Sequence, residues 1–454
     1  MNSSHKSNKF APEAHIVFIS YYFPPMGGGG VQRITKFLKY FDYQSFRVSV
    51  LTVRPSFFYS SDSTLSQDIP PHVSVIRSGS LDPFRLIYLF KKFRWKLLRK
   101  KSPENENSNE SGGKLRKIAM SLFVPDSRLL WLPFAVIKLL VYLRRHPAQL
   151  LVATMPPFTA GLIAGLVKKV TGIPVVLDFR DGWSNNPYLP RVASFQEWMS
   201  HALERFCVRH ADGFIFVNPA LEADYRERFS EIGTRPHTTI RNGFDPDDFA
   251  ELSPEHGMPS PPPFRLGIMG TIYSQGNRPI ALLGALAELK AEIPGFSDQF
   301  QLIFLGKWSQ DFLELVNDFH LTDIVQFQPY QPHKTALQTA AGFHALALAI
   351  ESQFPGAPHV TPGRIYEYLY LRKPILALCP PESDVARLVR ECHAGEVVPD
   401  SDVAAIKAVL RDWMADATSL TARYPFTGVD PFSRKKQAGE LVAFLKEVLE
   451  RVVG

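Results

Sequence analysis

Four consecutive glycines, Gly27 to Gly30, lie between a Pro-Pro pair and the helical spacing that begins near Val31, in SYYFPPMGGGGVQRITKFLKYF (20–41). Glycine lets backbone N–H groups approach a ligand closely, and a helix start concentrates partial positive charge. That chemistry suits a phosphate, with Arg33 in the first turn adding a fork of donors. A second group, Asp178, Arg180 and Asp181 in VVLDFRDGWSNNPY (175–188), closes an apolar run. Open α/β sheets place ligands at such strand ends. A carboxylate there can accept a proton or orient a hydroxyl, and the arginine can hold a phosphate or depress the carboxylate pKa. The other arrangement is an internal Asp–Arg pair that fixes the loop. A third group stands in HVTPGRIYEYLYLRKPILAL (359–378). Thr361 can cap a helix whose first residue is Pro362, Gly363 permits close backbone approach, and Arg364 falls in the first turn. Glu367, one turn on, can accept two hydroxyl hydrogen bonds from a ribose diol beside this second anion site, or stand on a plain helix surface. The first glycine run is not a dinucleotide fingerprint. Arg33 replaces the third glycine, and Arg54 rather than an acid ends the second strand.

These groups need strands and helices to hold them. Short β-branched runs predict strands at 15–20, 47–53, 74–79, 150–155, 174–179 and 213–218, then at 264–271, 301–306, 324–329, 344–350 and 374–378. The runs are nearly all apolar rather than alternating, as in parallel strands covered on both faces. Strand and helix alternate, and the alternation starts twice, so the fold class is α/β with two doubly wound units. ELSPEHGMPSPPPF, after RNGFDPDDF (241–249), carries five prolines and no period and reads as a linker. The expected division is 1–249, 250–430 and a terminal helix, 431–454, with Leu441, Phe444, Leu445 and Leu449 on one stripe.

Composition excludes several classes. Three cysteines, Cys207, Cys379 and Cys392, form neither a metal spacing nor a paired framework, which implies a reducing compartment. The N-terminus, MNSSHKSNKFAPEAH, lacks the apolar core of a signal peptide. LLWLPFAVIKLLVYL (129–143) is broken by Pro133 and Lys138 and reads as a buried helix, not a membrane span. The net charge of +7 is unevenly placed: residues 84–101 hold eight basic side chains and no acidic one. Leu86, Leu89, Phe90, Phe93 and Leu97 share one face there, with Trp95 nearby, and the basic insert as a whole covers 84–118. Such a helix suits an anionic bilayer interface or a core helix with a cationic back. No nucleic-acid motif accompanies it.

The ordered motifs YFPPMGGGGVQR, PD…W…MPP…PVVLDFRDGW, RNGFDPDDF and PGRIYEYLYLRKPIL span about 20 to 380 and resemble the family 4 glycosyltransferases, particularly those building bacterial surface polysaccharides. The resemblance implies a GT-B fold: two Rossmann-like domains facing a cleft, with the C-terminal helix returning to the first. It implies sugar transfer, with retention, from a nucleoside-diphosphate sugar to an acceptor hydroxyl, on a lipid-linked or envelope glycan. Gly27 to Gly30 would face the donor phosphates and the acceptor, Gly270 and Thr271 would begin the diphosphate site, and Glu367 would hold the ribose. His359 stands where many members have the first glutamate of a pair, and Thr271 and Gly276 where many have an arginine and a lysine. Arg278, Lys307 or Arg364 would supply that charge. Arg180–Asp181 takes the place of a His–Asp pair beside the reacting sugar and is the catalytic candidate. No DxD-type motif ends a strand, since Asp245 to Asp248 lie in a turn, so neither a metal nor another cofactor is expected beyond the nucleotide sugar as co-substrate. The expected partners are a nucleotide sugar, a glycan or lipid-linked acceptor and an anionic membrane surface, without nucleic acid. The expected location is cytoplasmic, peripheral on the inner face of the cell membrane. An epimerase on the same fold, or a non-catalytic sugar-nucleotide-binding scaffold, are the competing readings.

Overall fold

The computed structural model describes residues 14–55, 62, 64–81, 123–184, 194–250, 252, 263–354 and 356–453. The basic insert, 84–118, lies outside the described residues. Seven strands build the first sheet: β1 (Ala14–Ile19), β2 (Phe46–Val53), β3 (Ser74–Ser78), β4 (Leu150–Met155), β5 (Val175–Phe179), β6 (Gly213–Phe216) and β7 (His237–Thr239). Six build the second: β8 (Phe264–Ile272), β9 (Phe300–Trp308), β10 (Val325–Pro329), β11 (Ala345–Ala349), β12 (Ile375–Leu378) and β13 (Gly395–Val398). The orders are β3-β2-β1-β4-β5-β6-β7 and β10-β9-β8-β11-β12-β13. In both sheets β1 or β8 sits centrally, and the order reverses beside it: β1 pairs in parallel with β2 and β4, and β8 with β9 and β11. Loops leaving those strands therefore open onto the crevice where such sheets bind ligands.

The unbroken apolar runs have a simple cause. Along β1, Val17 and Ile19 join one buried cluster while Ile16 and Phe18 join another. Leu302 and Phe304 in β9 part from Ile303 and Leu305 in the same way. Each sheet is sealed on both faces, so alternate side chains are equally apolar. The two short edge strands β7 and β13 are absent from the sequence reading. HTT and GEVV are too short and too polar to signal strands alone; β7 forms because β6 offers it a parallel edge.

The segment read as a buried helix at 129–143 is a short turn, Leu129–Trp131, followed by the helix Leu132–Arg145. It is buried on one face only. Ala135, Leu139 and Leu143 are covered, whereas Ile137 is 64% exposed. Among the described residues no helix is long and apolar enough to cross a membrane. All three cysteines are buried and free.

The last helix, Arg434–Val453, lays Ala438, Leu441, Phe444, Leu445 and Val448 into the cluster formed by Ile16, Phe18, Ile34, Phe37 and Ile215. Its start is held by the segment after β7. Phe244 bridges to Ser433, and Gln437 donates to the Asn242 carbonyl at 2.9 Å. Gly243 sits at this crossing because a Cβ there would overlap the Phe432 carbonyl oxygen. The second sheet is reached and left through this junction.

Candidate active site

The glycine run leaves β1 and enters the helix Gly29–Lys39, which begins two residues earlier than its spacing predicts. Gly28 takes a positive φ of 102°, a conformation that branched residues avoid. Gly28 and Gly29 are exposed, and a Cβ on Gly29 would meet no atom within 4 Å. The tip of the run thus borders open space, where a ligand can approach the backbone.

Arg33 does not serve that space. It is 1% exposed and points inward, donating to both Asp178 carboxylate oxygens at 3.1 and 2.8 Å. It also donates to the carbonyls of Ile240 and Arg241 at 2.9 and 3.0 Å, and Thr154 donates to Asp178 at 2.9 Å. The internal Asp–Arg pair is therefore Arg33–Asp178, which couples the glycine-run helix to β5 and to the chain leaving the first sheet. Three residues on, Lys36 reaches Asp68, Asp245 and Asp248 at 2.7, 2.7 and 2.6 Å. Those acids cluster tightly enough for a cation, and the Lys36 ammonium occupies the middle. Lys39 and Tyr40 add bonds to Asp245 at 2.7 and 2.6 Å, which with Lys36 hold its carboxyl at about 2 against the opposing effect of burial. The turn RNGFDPDDF is a receptor for the cations of the first helix.

Arg180 turns back toward the glycine run. It donates to the carbonyls of Gly30 at 2.5 Å and Met155 at 3.2 Å, and to that of Pro156. It braces the loop from below rather than facing a substrate. Asp181 behaves differently: it is exposed, and desolvation by the surrounding protein pushes its carboxyl up to about 6 against the downward pull of Arg180. Tyr273, just after β8, is half exposed and lies within electrostatic reach of Arg364 on its own domain and of Asp181 and Tyr22 on the other. Crowding, first among those influences, raises its phenol above the usual range. Asp181 and the second domain therefore share one cleft.

On that second domain, Gly270 (φ 99°) and Gly306 (φ 146°) pair across β8 and β9 so closely that a Cβ on Gly306 would overlap the Gly270 carbonyl. Arg364 packs against Gly270 and donates to the Met269 carbonyl. Arg278 instead forms an ion pair with Glu351 at 3.0 Å. Lys307 stands over the Tyr330 ring at 5.1 Å, its ammonium pulled below its ordinary pKa by burial. Thr271 passes its carbonyl to Asn277. Of the three cations proposed for the diphosphate, Arg364 is the one packed against Gly270.

The helix after HVTPG begins at Arg364, with Gly363 as its cap and no side-chain cap bond. Thr361 is not the cap. Its hydroxyl donates to Asp384 at 2.7 Å and accepts from Asn218 at 3.0 Å, and Asn218 also donates to the His359 carbonyl at 2.7 Å. Arg241 grips Asp384 with two bonds, at 2.5 and 2.9 Å. These contacts tie the two sheets together behind the cleft. The His359 ring keeps a buried Nδ1 that has no partner among the described residues. Gly363 is exposed with open space beside its α-carbon. Glu367 is 9% exposed, not open to the cleft as expected, because His333 lies over it: His333 Nε2 and Glu367 Oε1 are 2.7 Å apart. Sequence reasoning missed His333, which opens the helix His333–Ala341 and carries no local motif.

Comparison with known proteins agrees with this architecture. Residues 28–243 match the model of the glycosyl transferase 4-like domain. The matched stretch runs from the glycine run to the junction after β7. Sucrose-phosphate synthase from Thermosynechococcus elongatus superposes with a TM-score of 0.63 at 15% identity, covering 96% of this chain and 100% of that one. HepE from Anabaena, solved with UDP and glucose, superposes with a TM-score of 0.62 at 17% identity, covering 96% and 100%. WaaG, a glycosyltransferase involved in lipopolysaccharide biosynthesis, gives 0.56 at 13% identity, covering 96% and 98%. No curated protein matches the chain. The solved structures share the GT-B fold with this chain, and its first domain, over residues 28–243, matches the glycosyl transferase 4-like domain.

Proposed function

We propose that this chain is a glycosyltransferase that moves a sugar from a uridine-diphosphate sugar to an acceptor hydroxyl on a lipid-linked or cell-envelope glycan, with retention, at the cytoplasmic face of the membrane. The observation that carries the proposal is the pairing across one cleft of two walls suited to a ligand. The first domain brings the open glycine run and Asp181, and the second brings Gly270, Arg364 and the open Gly363, with Glu367 one turn on beneath His333. Arg364 and the start of its helix would meet the charge developing on the departing diphosphate, and Glu367 would take the ribose. Asp181 would orient or deprotonate a hydroxyl near the transferred sugar, with Arg180 holding the loop beneath it. Uridine as the donor base is supported by HepE, which was solved with UDP and with UDP-glucose. The envelope acceptor is supported by the sequence resemblance and by WaaG.

The test is a thermal-shift screen of the intact chain against UDP, GDP, ADP and their sugars, followed by a transfer assay with radiolabelled donor. A ligand bound only by the folded state at 100 times its Kd adds about 2.7 kcal/mol of stability. UDP is expected to raise the melting temperature by several degrees, and label is expected to move to a lipid-extractable or glycan acceptor. A shift by UDP-glucose with conversion of the free donor alone would replace transfer by epimerisation. No shift by any nucleotide would end the donor-site assignment.

A further inference from the structure

His333 stands between two carboxylates on two different elements. Its Nε2 is 2.7 Å from Glu367 Oε1, on the helix Arg364–Leu371, and its Nδ1 is 3.6 Å from Asp248 Oδ2, in the turn Pro246–Phe249. A neutral imidazole presents one N–H and one bare nitrogen lone pair, so it would turn the lone pair toward one of these anions. Only the imidazolium faces both favourably. The charged groups around the ring are Glu367, Asp248 and, behind Asp248, Lys36. Opposing the positive charge are burial, Lys36 and the ring's place at a helix start. The two carboxylates outweigh these opposing effects, and the ring's pKa lies above its ordinary value.

We infer that His333, held as an imidazolium, is a positioning residue that fixes Glu367 for the donor ribose and ties it to the segment joining the two domains. The inference rests on Glu367 taking the ribose, as proposed above. The link runs on through Asp248 to Lys36, and so to the helix of the glycine run on the opposite wall of the cleft. A bound donor that draws on Glu367 is thereby coupled to the junction about which the domains are joined. Binding favours the protonated ring, so donor affinity falls as pH rises through the His333 pKa, and donor binding takes up protons in that range.

The experiment is calorimetry of the full chain with UDP-glucose, whose diphosphate has no proton to lose between pH 6.5 and 9.0. Titrations at pH 8.5 in buffers of different ionisation enthalpy measure proton uptake. The parent is expected to bind about three- to tenfold more weakly at pH 9.0 than at 6.5, the scale of one charge-assisted hydrogen bond loosened rather than lost, with measurable uptake. His333→Gln is expected to bind weakly at every pH with no uptake. Asp248→Asn should flatten the pH dependence, and adding it to His333→Gln should change little. A flat parent profile with no proton uptake overturns the inference, and this measurement needs no variant to fold. If Glu367→Gln binds as the parent does, or UDP-glucose fails to bind at all, the ribose assignment falls and the inference with it. If Glu367→Gln weakens binding while His333→Gln does not, the ribose assignment stands and the role of His333 is refuted.

Discussion

Replacing Arg33 with methionine separates two roles for that residue. If the guanidinium serves phosphate, the variant loses nucleotide affinity and keeps its stability. The structure requires the reverse. Methionine removes two bonds to Asp178 and those to the Ile240 and Arg241 carbonyls, and leaves a carboxylate with Thr154 as its one side-chain donor among the described residues. The Asp178 side chain is 6% exposed, so water does not replace the lost partner. Stranding one member of a buried pair costs about 3–5 kcal/mol. For a domain of this size each kcal/mol moves the melting temperature by roughly 2–4 °C, so a fall of about 6–20 °C is expected. Asp178→Asn relieves the stranded charge. The double variant Arg33→Met with Asp178→Asn should therefore be less destabilised than the sum of the two, with a coupling of about 2 kcal/mol or more. Urea denaturation followed by circular dichroism gives the stabilities, and calorimetry with UDP below the melting range gives the affinity. A loss below about 1 kcal/mol in Arg33→Met, together with tenfold weaker UDP binding, would refute the internal role and return Arg33 to the phosphate.

Three further outcomes are expected. Gly29→Val should fold with a melting temperature within about 2–4 °C of the parent yet lose transfer activity, because a Cβ there has no atom within 4 Å and the side chain enters the space above the glycine run; parental turnover removes that run from the active site. With the Asp181 carboxyl at about 6, a reaction that uses the ionised form should lose kcat/KM as pH falls below 6, approaching about tenfold per unit, and Asp181→Asn should abolish activity; an unchanged acid limb in pH–rate measurements shows that Asp181 is not the titrating group. Replacing Lys91, Lys92, Arg94 and Lys96 together with glutamine should weaken salt-sensitive sedimentation with anionic liposomes by orders of magnitude, at about 1 kcal/mol per basic residue; undiminished sedimentation assigns the segment to the core or to a solvent face.

The sequence alone was sufficient for both sheets and for nearly all their strands. LLVATM matches β4 residue for residue, and PVVLDF and PILAL miss their strands by one residue, because a strand buried on two faces must be apolar at every position. The glycine run and the helix at Arg364 were legible for a related reason: close backbone approach and helix starts are set by residues adjacent in the chain. What the side chains do with their charges was not legible. Arg33 meets Asp178 across 145 positions, Lys36 meets Asp248 across 212, and His333 meets Glu367 across 34. Spacing along a chain carries no trace of such pairings, since ion pairs depend on which surfaces the fold brings within a few ångströms and removes from water. Thr361 shows the same limit at short range: its sequence position is that of a helix cap, but Asn218 and Asp384 claim its hydroxyl first. Apolar periodicity is a local record of burial and could be read directly, whereas the partner of each buried charge was decided only when each domain folded, and for Arg241 and Asp384 only when the two domains met.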